Sequence, residues 1–128
     1  MKYIIMLAIV VGMAFVDFIT GIIKAYVNND VSSTKMRKGG LNKLCEIIVM
    51  ATACGLEIGI AELGRYYDVQ DVSKITGTVA AGVVFGYIVL MELVSILENY
   101  GEINPDATWI AKLIKRLRNK KDGESNGD

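Results

Sequence analysis

The 128-residue chain has no histidine, one proline, one tryptophan and two cysteines. Without histidine it lacks the commonest metal ligand and the side chain that most often acts as a general base. It also lacks a P-loop, a dinucleotide fingerprint, a metal-ligand cluster and a nucleophile with a plausible base. Catalysis has no support: the chain reads as no enzyme, with no cofactor and no metal. Cys45 and Cys54 are nine residues apart in one apolar block. On a helix they face opposite ways, roughly 13 Å apart along the axis, too far for a bridge within the chain. They read as small buried hydrophobes, with a disulfide between two chains left open.

Hydrophobic residues are abundant, at 52%, yet charged residues still reach 22%. The length allows one compact unit and no second domain. What decides the class is that the apolar residues fall in three blocks. The first runs from Tyr3 to Val27 and has the span of a bilayer. It is longer than a usual signal-peptide core and ends in no clear cleavage site, so it reads as retained. Asn28 to Gly40 reads as a basic loop. The second block, 44–64, is marginal, because each central acid costs about 2.5–3.5 kcal/mol on insertion. Residues 65–74 read as a short polar connector. The third block, 75–97, is uncharged from Ile75 to Met91.

The expected fold is an all-α membrane protein with three transmembrane helices (3–27, 44–64 and 75–97) within residues 1–100. A basic amphipathic helix follows in 101–121, and 122–128 reads as a disordered tail. The net charge is zero, but residues 112–121 hold six Lys or Arg and no acid. Placing both basic regions in the cytoplasm requires an even number of spans between them. The second block must therefore cross, leaving the N-terminus out and the C-terminus in.

Within the first span, Asp17, Thr20, Gly21 and Lys24 share one helical face. Intramembrane charges normally face protein or water, which singles out Asp17, Lys24, Glu57 and Glu92. Lys24 and Glu46 lie at one level and suit a structural pair. Gly55/Gly59 and Gly82/Gly86 are GxxxG motifs that permit close helix packing, within or between chains. In the tail, Trp109, Ile110, Leu113, Ile114 and Leu117 fall on one face. With Lys112, Lys115, Arg116 and Arg118 around them, they suit an anionic lipid surface rather than nucleic acid, with Trp109 as the interfacial anchor.

The D-x-x-T-G-x-x-K pattern at 17–24 is followed by S-S-T-K-M-R-K-G-G at 32–40 and by E-L-V-S-I-L-E-N-Y-G-E-I-N-P at 92–105. Together these resemble the toxin secretion/phage lysis holin family, over roughly residues 10–118. The Asp17/Thr20/Gly21 and Glu92/Ser95/Glu98/Asn99 groups are the most specific parts. The resemblance implies a multi-pass protein of the bacterial host cytoplasmic membrane that forms homo-oligomers. It also implies large non-specific lesions that release an endolysin or a toxin, with no direct endolysin contact required. Asp17, Thr20 and Lys24, with Glu57 or Glu92, would then line the lesion. Two other classes are a small oligomeric ion channel or transporter subunit, and a membrane adaptor displaying its basic tail.

Overall fold

The described residues form four helices: α1 (Lys2–Val27), α2 (Ser33–Tyr66), α3 (Gln70–Ile103) and α4 (Thr108–Ser125). They are seen in a computed structural model that describes residues 1–125, with side chains as far as Lys120. No strand occurs among the described residues. The first three helices are each long and apolar enough to cross a membrane. α3 is the central element, packed against each of the other three, and α1 also touches α2.

The turns between the long helices are tighter than the sequence suggests. After α1, Asn29 takes a left-handed φ of 55°. Around it, the Asp30 amide bonds the Ala25 carbonyl (2.8 Å) and the Asn29 amide bonds that of Tyr26 (3.2 Å). After α2, Asp68 (φ 58°) does the same, with the Val69 amide bonded to the Gly64 carbonyl at 2.8 Å. Both are Schellman-type ends with Asn or Asp where glycine is commonest. Their short polar side chains tolerate the left-handed region.

The expected boundaries move accordingly. The basic loop 28–40 is a loop only to Ser32, because the Ser32 hydroxyl caps α2 by accepting from the Lys35 amide at 3.4 Å. The connector 65–74 shrinks to Tyr67–Val69. Residues 101–103 belong to α3, and α4 begins at Thr108. Of the expected disordered tail, 122–125 are helical, and 126–128 lie outside the described residues. Apolarity marks the part of a helix that meets hydrocarbon, not where the helix begins or ends.

Buried positions follow one another at spacings of three, four or seven along the long helices: Val10, Ala14 and Asp17; Met50, Cys54, Glu57 and Gly64; Ser73, Gly77, Ala81, Ile88, Glu92 and Asn99. That is one face per helix. Val10, Met50, Cys54 and Ile88 form the apolar middle, with Leu7, Val84 and Phe85 packed around them. Outside, the pattern inverts that of a water-soluble bundle. Val83, Phe15 and Leu56 are 66%, 63% and 55% exposed, whereas Glu92 is 1% and Asp17 5% exposed. Only a hydrocarbon solvent makes that arrangement economical.

α4 folds back on the end of α3. Ile110 is buried where Gly101 leaves room; a Cβ on Gly101 would lie 3.4 Å from the Ile110 side chain. Arg118 pairs with Glu98. Ile110, Leu113, Ile114 and Leu117 are buried or half-buried, and Trp109, at the edge of the same face, is exposed.

Candidate functional site: two polar layers inside an apolar bundle

The buried charges gather in two layers, above and below the apolar middle. They lie about 20 Å apart by the helical rise. The larger layer is built around Lys43, in the third turn of α2. Its ammonium pairs with Asp17 of α1 and donates to Glu92 Oε1 of α3 at 2.6 Å. Glu46, one turn along α2, lies 3.7 Å from the same nitrogen. One cation thereby joins all three long helices.

Asn99, two turns beyond Glu92, completes Asp17. Its Nδ2 donates to Asp17 Oδ1 at 2.9 Å, and it also lies 3.2 Å from the Asp17 carbonyl oxygen and 3.0 Å from Thr20 Oγ1. The Thr20 hydroxyl in turn donates to the Asp17 carbonyl at 3.0 Å. Both oxygens of the Asp17 carboxylate therefore have a donor. Gly21 faces Asn99 across an ordinary contact, 3.7 Å from where its Cβ would be. The smaller layer is simpler. Lys2 pairs with Glu57, and Thr78 Oγ1 donates to Glu57 Oε1 at 3.2 Å. Glu57 is held against α3 by Gly77, where a Cβ would come within 3.2 Å of the Glu57 backbone oxygen.

A cleft of about 390 Å³ opens beside the α1–α2 turn and reaches down to the larger layer. Gly21, Lys24, Lys35 and Asn99 line it, with Asp17 and Lys43 at depth. Lys24 meets Glu102 at 3.7 Å, not Glu46 as its level suggested. Glu46 turns instead to Lys43 on its own helix.

Of the residues singled out in the sequence, Asp17, Thr20 and Glu92 come together. Lys24 stands at the cleft mouth, and Glu57 belongs to the other layer. Gly55, Gly59, Gly82 and Gly86 meet nothing within 4 Å of a built Cβ. They face outward, so their motifs do not pack this chain's own helices. Close approach within the chain falls to Gly77 and to Gly64, where an added Cβ would strike Ser73. Lys43, Lys2 and Asn99 were missed as partners. The signal was present for Lys43, which precedes the buried positions Met50, Glu57 and Gly64 by successive steps of seven.

A chain whose three long helices turn hydrocarbon outward and ion pairs inward is a multi-pass membrane protein. Its sequence matches the bacteriophage holin family over residues 2–119, nearly the whole chain, and it belongs to that family. No curated protein and no solved structure matches it.

Proposed function

We propose that the chain accumulates in the host cytoplasmic membrane, oligomerises there and opens large non-specific lesions that release an endolysin or a toxin. Membership of the holin family supports the lysis role. The observation that carries the mechanism is the pairing of an apolar exterior with an ionic interior in one bundle. Closed, Asp17, Thr20 and Glu57 have partners inside the chain, and Glu92 has Lys43 on one of its two oxygens. Separated, the same groups seek water, and a ring of opened chains presents them to an aqueous lesion. The outward Gly55/Gly59 and Gly82/Gly86 faces suit contacts between copies. The basic face of α4, with Trp109, Lys112, Lys115 and Arg116 exposed, suits the anionic cytoplasmic leaflet.

Inducible expression in bacteria, with and without a cytosolic muralytic enzyme, tests this reading. Abrupt lysis that requires the enzyme is expected. A steady, ion-selective conductance without passage of the enzyme would replace it with a small channel.

A further inference from the structure

The cleft beside the α1–α2 turn holds charges that neither polar layer uses. Three lysines and three acids line it. At its floor Lys43 and Asp17 are engaged with each other. Four charges remain nearer the mouth, two of each sign. Lys35 pairs with Asp30 at 2.7 Å, but both side chains are largely exposed. Lys24 is only 33% exposed, and Glu102, its ionic partner, stands at 3.7 Å, beyond a hydrogen bond. Exposed pairs of this kind contribute little and reopen readily.

The place and the walls of the cleft suit an amphiphile. The turn at Asn28–Ser32 ends the apolar stretch of α1, so the mouth lies at the level of lipid headgroups, whichever side that is. Further in, Phe18, Ile22 and Met36 supply apolar wall. The volume of about 390 Å³ falls at the lower end of pockets that hold small ligands. A purely basic pocket between spans would suit an anionic headgroup. Here each lysine has an acid beside it, so an anion gains at one and is repelled by the other. A group that carries both charges meets both kinds of partner.

We propose that the cleft binds a phosphate–ammonium zwitterion, the headgroup of phosphatidylethanolamine. Its phosphate takes the Lys24 and Lys35 ammoniums, and its own ammonium donates to Glu102 and Asp30. Two loose, exposed ion pairs are thereby exchanged for charge-assisted hydrogen bonds in a partly enclosed site. Asp17 and Lys43 stay paired beneath. The inference rests on the membrane-spanning bundle and not on lesion formation.

The full chain in maltoside micelles, titrated with lipids and read by native mass spectrometry, tests this. Phosphatidylethanolamine should fill one saturable site. Phosphatidylcholine, whose trimethylated ammonium has no N–H to donate, should bind about tenfold more weakly. Phosphatidylglycerol, which lacks the ammonium, should do the same. Lys24→Ala and Glu102→Gln should each weaken phosphatidylethanolamine about tenfold, whereas Lys112→Ala, outside the cleft, should not. Equal binding of the three lipids would overturn the proposal, as would a preference for phosphatidylglycerol. Undiminished phosphatidylethanolamine binding in both cleft variants would overturn the location. Glycerophosphoethanolamine, the same headgroup without acyl chains, separates the sources. Weaker binding than the lipid's is expected, and equal binding would overturn the lipid as occupant in favour of a soluble zwitterion. Should the variants fail to fold, the contrast between ethanolamine and choline lipids on the parent chain decides.

Discussion

At the scale of single residues, Lys43 is the side chain on which most depends. Lys43→Met removes the one cation that Asp17 and Glu92 share and leaves buried acids uncompensated. Breaking such a pair costs about 3–5 kcal/mol. We expect a matching loss in unfolding experiments in micelles; an unchanged midpoint would contradict the geometry. By contrast, Lys24→Ala loses a partly exposed contact at 3.7 Å and should cost less than about 1 kcal/mol. Asp17→Leu carries the functional question. At equal membrane levels it should delay or weaken lysis, and wild-type timing would remove Asp17 from any lesion-lining role. The sequence made Asp17 and Glu92 legible because an acid inside an apolar run stands out. Lys43 did not stand out, since it lies before the apolar run and reads as part of a basic loop. Asn99 had no charge to mark it, and its partner is 82 positions away.

At the scale of helices, the glycines divide by what stands opposite them. A Cβ at Gly64 strikes Ser73, and one at Gly77 crowds the Glu57 backbone, so Gly64→Ala and Gly77→Ala should each destabilise the α2–α3 pair. Overpacking costs roughly 1–3 kcal/mol, less the gain in helix propensity of up to about 1 kcal/mol. Gly55→Ala and Gly82→Ala gain that propensity and meet nothing, so the monomer should hold or improve. If their face joins copies, cross-linked oligomers should diminish in those two variants alone. The GxxxG pairs stand out in the sequence because the motif is local. Ser73 and Gly77, the small residues that meet α2 at Gly64 and Glu57, do not, because their spacing matters only once the partner helix is known. The three spans themselves were legible from hydropathy. Their polar extensions were not, because Ser32 as a cap and Asn29 and Asp68 in left-handed turns are single-residue signals within polar stretches.

At the scale of the whole molecule, the three-span topology makes a prediction of sidedness. If the basic segments lie in the cytoplasm, the N-terminus is out and the C-terminus in, and a reporter enzyme active only outside the cytoplasm should work when inserted at Tyr67–Val69. It should be silent when fused after residue 128. The reverse pattern would invert the bundle and place the cleft on the outer side. The chain is also a zigzag of two hairpins, hinged at opposite ends. The α1–α2 hairpin turns at Asn28–Ser32, and Lys2 and Glu57 meet at its free end. The α2–α3 hairpin turns at Tyr67–Val69, and Lys43 and Glu92 meet at its free end. Each ionic contact thus acts as a clasp far from its hinge, where a small rotation gives a large separation. Releasing the Lys2–Glu57 clasp loosens one end of α1 while Asp17, still held by Lys43 and Asn99, keeps the other end in place, so the two ends of the bundle are latched separately.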